Sequence, residues 1–236
     1  MKYSCTIFAV LFVAKVIQVT PAPSKDISFD HYTFTQQWPA GECAIARDTC
    51  KIPAGVNSWT VHGLWPSQGD TRGPAYCDDA HKFNVSLIQH ILPQLEAHWP
   101  NIYADKSEDS FWSHEWDKHG TCAEGTKYFS GEYKYFVGAL SLAALYNVTT
   151  AFENAGIYPS NTKTIKIGDI NAALDKAFKT APAVKCVHNK ELNKYVLIEV
   201  EMCIEQGTLN LVDCTQYKEK TTCWETDEIV YRVPTH

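Results

Sequence analysis

Alternating apolar and polar residues predict strands near the start of the chain. Residues 28–38 are rich in aromatic and β-branched side chains, and they stop at a turn over 38–41 that contains Pro39 and Gly41. A second strand is expected over 58–64, ending at Trp65-Pro66.

Helical spacing replaces this alternation in the middle of the chain. The predicted helices cover residues 84–98, about 110–119, 129–146 and 169–178. Pro93 should distort the first helix, and Gly120 should stop the second. The third is apolar enough to be mostly buried, and Gly168-Asp169 is a plausible cap for the fourth.

The C-terminal part returns to strands. Residues 195–204 and 208–212 predict a hairpin, and 228–233 predict an additional edge strand. Strands at both ends with helices between them predict an α+β fold, in which an antiparallel β-sheet packs against several helices. No repeat, low-complexity tract or linker-like run follows Ser24, so residues 23–236 should form a single domain.

The first residues have the features of a secretory signal peptide, which we expect over 1–22. Lys2 precedes an apolar run that reaches Val13, and a small, proline-bearing segment follows over 20–24. The run is shorter than the roughly 18 apolar residues that a membrane-spanning helix needs, and Lys15 interrupts it. We therefore expect a soluble mature protein with no membrane anchor.

Cysteine usage and charge narrow the class of protein. Cys5 lies in the leader, and the remaining cysteines form an even set, so four disulfides are expected. Their number and spacing alone do not show which cysteines pair with which. The absence of a CxxC pair argues against a zinc site. Asn84 and Asn147 begin N-glycosylation sequons, which agree with the secretory route. A formal net charge of -6 argues against a binder with a broad basic face, but it allows an enzyme with a local cationic pocket.

Two segments concentrate the chemistry, at residues 59–66 and 111–122. On a helix, the second segment forms two adjacent columns about 100° apart, which place four titratable side chains on one face: His114, Glu115, Lys118 and His119. Trp116 points elsewhere and is available for packing. A helix face of this kind is usually an ordinary solvent-exposed surface without a catalytic role. A single histidine on a strand, such as His62, is usually a hydrogen-bonded, half-buried residue. The combination of the two segments favours a catalytic site.

Other catalytic chemistries fit these segments less well. His114-Glu115 begins like the zinc motif HExxH, but Lys118 occupies the position of the second histidine, where a cation repels zinc. The chain has no GxSxG motif, and the cysteines after the leader are better used in disulfides, so a serine or cysteine nucleophile is disfavoured.

The two segments resemble the active-site signatures HGLWP and HEWxKHGTC of the T2 family of ribonucleases, and match them at every defined position over residues 62–66 and 114–122. Gln37-Trp38-Pro39, the stretch 92–100 and the cysteine distribution are similar to the animal branch, so the resemblance covers nearly the whole mature chain. It implies the family's α+β fold and the disulfides Cys43–Cys50, Cys77–Cys122, Cys186–Cys223 and Cys203–Cys214.

The resemblance also implies a reaction. Family members cleave single-stranded RNA without a metal or another cofactor, through a 2',3'-cyclic phosphate that is then hydrolysed. By position, His119 resembles the general base and His62 the general acid, and the two exchange roles in the hydrolysis. Lys118 would stabilise the charge on the phosphorane, Glu115 would assist by hydrogen bonding, and His114 would hold the phosphate.

Base recognition is implied at Trp65 and Phe111, which match the family's aromatic residues around the first base site. Ser67 stands where some members carry an aspartate that contacts the base, so we expect broad base specificity. One histidine must be neutral while the other is protonated, which predicts a bell-shaped pH profile with a mildly acidic optimum. An extracellular or endo-lysosomal location is compatible with that optimum.

Three functions remain open on the sequence. The chain is an active endoribonuclease, a secreted T2-like protein recruited as a binding module, or a metallohydrolase. The intact set of titratable residues favours the first, and insensitivity to EDTA would separate it from the third. A glycosylated monomer is the default expectation for the oligomeric state.

Overall fold

Eight strands of one sheet and six helices are found in the part of the chain that the structure, a computed structural model, describes: residues 27–46, 50–103, 106–217, 221–223 and 228–236. The predicted signal peptide, 1–22, lies outside these residues. The strands are β1 (His31–Gln37), β2 (Thr60–Gln68), β3 (Thr71–Arg72), β4 (Thr164–Ile165), β5 (Ala183–Asn189), β6 (Lys194–Glu205), β7 (Leu211–Val212) and β8 (Ile229–Val230). The helices are α1 (Pro39–Ile45), α2 (Leu92–His98), α3 (Glu108–Lys118), α4 (Glu132–Leu145), α5 (Val148–Glu153) and α6 (Ile167–Phe178).

The long strand β6 organises the sheet. It pairs antiparallel with β1, β5 and β7, and parallel with β8. The predicted α+β class is confirmed, but the sheet is mixed rather than purely antiparallel. The predicted C-terminal edge strand is also wrong in its position, because β8 lies between β6 and β4.

The two faces of the sheet differ in chemistry. Phe34, Leu64 and Met202 lie opposite one another on β1, β2 and β6, and they belong to the main hydrophobic core. The other face carries polar side chains such as Thr35 and Glu201, which are nevertheless buried. Burial of apolar residues on only one face leaves the second face free to carry a polar site.

Two predictions near the N-terminus are corrected by proline positions. The predicted turn at 38–41 is the start of α1, because Pro39 fits the first helical turn, where no backbone donor is needed. Strand β2 does not end before Pro66 but continues to Gln68. Pro66 is tolerated because β3 pairs with β2 only at Ser67 and Gln68, so Pro66 has no partner on that side.

The predicted helix over 84–98 is broken. Two 3₁₀ turns, Val85–Leu87 and Gln89–Ile91, precede α2, and Pro93 lies in the first turn of that helix. The proline ring excludes a continuous helix because it has no N–H for the carbonyl four residues earlier. The other three predicted helices are present as α3, α4 and α6, although Lys166 rather than 168–169 is the N-cap of α6 and makes no side-chain cap bond. Helix α5 and strand β5 were not predicted.

The four disulfides of the structure join the same cysteines that the resemblance implied. By length and composition alone, the stretch Glu132–Glu153 is apolar enough to cross a membrane. Asn147 divides it into α4 and α5, however, and Tyr135, Phe136 and Phe152 are buried in the core. Its hydrophobicity is therefore explained by packing against the sheet.

Candidate active site

His62 lies at a β-bulge in β2. The register between β1 and β2 passes from Gln36 opposite Val61 to Thr35 opposite Gly63, so His62 has no partner across the strand. A bulge leaves backbone groups unpaired and re-aims the side chain. The carbonyl of His62 is satisfied instead by Trp99, whose indole Nε1 donates to it over 2.9 Å.

Helix α3 supplies the second half of the site. Glu115 and His119 form the buried column, with exposures of 2% and 4%, while His114 is exposed and Lys118 is half-buried. The two predicted columns are therefore present, and they differ in burial. His119 is the C-cap of α3, and its backbone N–H donates to the carbonyl of Glu115 over 3.0 Å.

Two connections hold the two halves in register. The Trp65 indole Nε1 donates to Glu115 Oε2 over 2.8 Å, and the Cys77–Cys122 disulfide ties the loop after β3 to the segment after α3. The Tyr135 hydroxyl of α4 supports the first half by donating to the carbonyl of Leu64 over 2.9 Å. Gly63 allows this close approach, since a Cβ there would lie 2.3 Å from Glu115 Oε2.

Both histidine rings lie close to Trp65. The His62 ring is 5.1 Å from the indole centroid and the His119 ring is 5.5 Å from it. The side chain of His62 is 30% exposed, and its Nδ1 bonds to Glu199 Oε1. Nδ1 of His119 is buried and has no hydrogen-bond partner among the described residues.

The surroundings of His62 and His119 shift the pKa values of the two rings in opposite directions. Burial disfavours the protonated form of His62, but the bond to Glu199 and the nearby carboxylates outweigh it and raise the pKa to about 9. Burial lowers the pKa of His119 to about 2, and the charge of Lys118 acts in the same direction. These opposite shifts favour a protonated His62 ring and a neutral His119 ring near neutral pH.

Glu115 and His114 are also shifted. Burial raises the pKa of Glu115 to about 7, although His62, the Trp65 indole and Lys118 oppose the shift. Partial burial and the charge of Lys118 lower the pKa of His114. The site therefore combines a protonated imidazole, a neutral imidazole and a carboxyl group that changes state near neutral pH.

Glu199 and Arg72 belong to this neighbourhood, and sequence reasoning missed both. The Arg72 guanidinium lies 4.6 Å above the centroid of Trp65 and pairs with the fully buried Glu201. The available signal lies in β6, where Glu199 and Glu201 stand two positions apart within the otherwise apolar stretch 195–204. Charged residues on a strand in the core need partners, so this pattern indicates a polar face.

No group of three or more histidine, cysteine, aspartate or glutamate residues arranged to hold a metal ion occurs in the described ranges. The arrangement of His62 and His119 is instead suited to moving two protons at one reacting centre.

Comparison with known proteins identifies the chain. The sequence pattern of the ribonuclease T2 family matches residues 29–214. The chain belongs to the ribonuclease T2 family. It is 36% identical to ribonuclease Oy of Magallana gigas over 206 residues, which cover 86% of this chain and 96% of that protein. It is 32% identical to ribonuclease T2 of Danio rerio over 221 residues, which cover 93% of this chain and 86% of that protein.

Solved structures agree with this assignment. The fold matches that of RNase NT in complex with 5'-AMP with a TM-score of 0.77 and 28% identity, covering 88% of this chain and all of that one. It matches human RNase T2 with a TM-score of 0.73 and 26% identity, again over 88% of this chain and 100% of the other. As a T2 ribonuclease, the protein is an endoribonuclease that cleaves RNA.

The predicted contact of Trp65 with a base stays a prediction for this T2 ribonuclease. The indole is 3% exposed, its N–H is bonded to Glu115, and Arg72 lies over the ring. Phe111 is half-buried, with its ring 5.9 Å from that of His62. Ser67 is fully buried and hydrogen-bonded to Thr33.

Proposed function

We propose that this endoribonuclease cleaves single-stranded RNA by transphosphorylation, using two histidines and no metal. His119 accepts the proton of the 2'-hydroxyl, whose oxygen attacks the adjacent phosphorus. His62 donates a proton to the departing 5'-oxygen, which leaves a 2',3'-cyclic phosphate. Water then opens the cyclic ester to a 3'-phosphate, with His62 as the base and His119 as the acid.

The observation that carries this proposal is the opposite shift of the two imidazoles. Burial and the charge of Lys118 keep His119 neutral and able to accept a proton, whereas Glu199 keeps His62 protonated and able to donate one. Environments that push two titratable groups apart identify the acid and the base. A bound phosphate raises the pKa of His119 again, which makes it a stronger base when substrate is present.

The remaining residues act on the phosphate. Lys118 supplies positive charge beside the pentacoordinate phosphorus, and the exposed His114, whose ring centroid is 6.5 Å from that of His119, holds a phosphate oxygen. Glu115, which is held in place by the hydrogen bond from the Trp65 indole, hydrogen-bonds to the reacting phosphate group. Phe111 is the available stacking surface for a base, and with Ser67 buried we propose broad base specificity.

The pH profile should be bell-shaped with a mildly acidic optimum. Above about pH 7, Glu115 and Glu42 ionise, since burial raises the pKa of each to about 7, and their charge repels the substrate phosphate. His62 loses its proton only at higher pH, because its pKa is raised to about 9. On the acidic side, activity falls when substrate-bound His119 is protonated. An optimum of kcat/KM at pH 8 or above would contradict this account.

The decisive experiment compares a synthetic RNA with its all-deoxy counterpart at about pH 5 with EDTA present. Wild type should cut only the RNA and release cyclic phosphate ends. His119→Ala should reduce the rate by about 10²- to 10⁴-fold. His98→Ala, at an exposed residue of α2, is the matched control and should cut normally. Cleavage of DNA at an equal rate, or loss of activity in EDTA, would favour the metallohydrolase; an inert wild type would favour the binding module.

The same proposal includes the setting of the enzyme. The four disulfides support an oxidising compartment, either extracellular or the endo-lysosomal lumen. Asn84 and Asn147 are exposed, as N-glycosylation requires. We propose a secreted, glycosylated monomer without a membrane anchor. Mass spectrometry of the protein from culture medium before and after glycosidase treatment tests the signal cleavage and both sites.

A further inference from the structure

Glu199 lies beside His62 although the two residues are on different strands. Both Thr60 on β2 and Glu199 on β6 pair with Gln37, which places Glu199 on the polar face next to the bulge at His62. The carboxylate is buried, with a side-chain exposure of 9%, and its Oε1 bonds to Nδ1 of His62.

The surroundings keep Glu199 ionised. Burial opposes its ionisation, but the bond to His62 and the charges of His62, Arg72 and Lys185 hold its pKa below the ordinary value. His62 itself faces Glu199 from β6, Glu115 and His114 from α3, Glu42 from α1, and His119 at the end of α3. Of these neighbours, only Glu199 forms a hydrogen bond with the ring.

We propose that Glu199 is the positioning residue of the general acid: it directs Nδ1–H of His62 into the sheet, so that Nε2–H faces the scissile phosphate. The inference rests on the proposed function, in which His62 protonates the 5'-oxygen. In an imidazolium both nitrogens are donors, so fixing one of them orients the other. A residue at a bulge is not held by a regular ladder, which makes this side-chain bond the restraint on the ring.

The leaving group offers a test that a purely structural role does not affect. A nucleoside 3'-(4-nitrophenyl phosphate) releases 4-nitrophenolate without protonation, so its cleavage requires the base but not the acid. Glu199→Ala should reduce kcat on RNA by about 10- to 100-fold, less than the loss of the acid itself, with little change in KM. On the aryl ester the same variant should cleave at nearly the wild-type rate.

Glu199→Gln separates charge from geometry. Its amide oxygen still accepts from Nδ1–H, so activity at pH 5 should stay near that of wild type. Without the negative charge, His62 should lose its proton at lower pH, so the ratio of kcat/KM on RNA at pH 8 to that at pH 5 should be at least about 10-fold lower than the same ratio for wild type. Thermal unfolding monitored by circular dichroism checks that each variant is folded.

Glu201→Gln is the matched control. Glu201 lies two residues along β6 on the same face and is also buried, but it pairs with Arg72 and Lys185 instead of a histidine. Its substitution should leave the ratio of RNA to aryl-ester activity unchanged.

The outcomes distinguish a failure of His62 as the acid from a failure of Glu199 as its positioning residue. If His62→Ala is not rescued by the aryl ester, the assignment of His62 as the acid fails, and the inference on Glu199 fails with it. If His62→Ala is rescued but Glu199→Ala cuts RNA normally, or is equally slow on both substrates, only the role of Glu199 is overturned.

Discussion

Trp65→Phe tests whether Trp65 holds Glu115 or binds a base. The substitution keeps an aromatic ring but removes Nε1, which donates to Glu115 Oε2 over 2.8 Å. Glu115 and Trp65 are only 2% and 3% exposed, so water cannot replace the lost donor freely. Leaving a buried acceptor without its donor costs about 1 to 3 kcal/mol, which corresponds to a decrease in kcat of about 5- to 150-fold if the loss is expressed in the transition state.

The assay measures kcat and KM on a dinucleotide, together with the midpoint of urea unfolding. Trp38→Phe is the control, because its indole also donates one hydrogen bond, in this case to the backbone carbonyl of Arg232, but lies outside the site. Both variants should be destabilised, since each loses buried contacts and one hydrogen bond. Only Trp65→Phe should lose kcat. A normal kcat with a raised KM would refute the reasoning and return Trp65 to base binding.

Three further substitutions test other parts of the structure. Gly63→Ala should abolish most activity and lower the unfolding temperature, because the new Cβ would lie 2.1 Å from Trp65 Nε1. Gly168→Ala is its control and should do neither, because a Cβ at that position would meet no neighbouring side chain within 4 Å. Phe111→Leu should raise KM about 10-fold without changing kcat, as expected for a lost base stack of about 1 to 3 kcal/mol; an unchanged KM would remove Phe111 from base recognition. Burial raises the pKa of Glu132 to about 7, so wild type loses stability as pH rises from about 4.5 through 7. Glu132→Gln should lack that loss and be more stable than wild type at pH 8, by about 1 to 3 kcal/mol in urea unfolding, but not at pH 4.

The elements that local periodicity predicts well are those with many residues of one pattern. Helix α3 carries its four titratable residues in two columns because the 3.6-residue repeat fixes their direction once the helix forms. Proline positions decided the errors: Pro39 starts a helix where a turn was predicted, and Pro93 breaks the helix predicted over 84–98.

Contacts between residues that are far apart in the sequence cannot be predicted from such local patterns. Glu199 is 137 residues from His62, and only the register of β1 with both β2 and β6 brings the two together. The bulge at His62 and the parallel pairing of the two-residue strand β8 likewise depend on partners elsewhere in the chain. The contacts of Trp65 with Arg72 and Glu115 likewise join separate parts of the chain, so the motif alone does not reveal them.

The meeting of His62 on β2 with Glu199 on β6 also bears on the order in which the site is assembled during synthesis. Both motifs have been synthesised once Cys122 is added, yet β6 follows only at Lys194–Glu205. Until that strand pairs with β1, His62 lacks its carboxylate partner, and the polar face of the sheet is incomplete. Pairings of such high sequence separation form late, because the loop must close before the contact is gained. A chain that ends before β6 therefore carries the complete catalytic signature but lacks the carboxylate that bonds to His62.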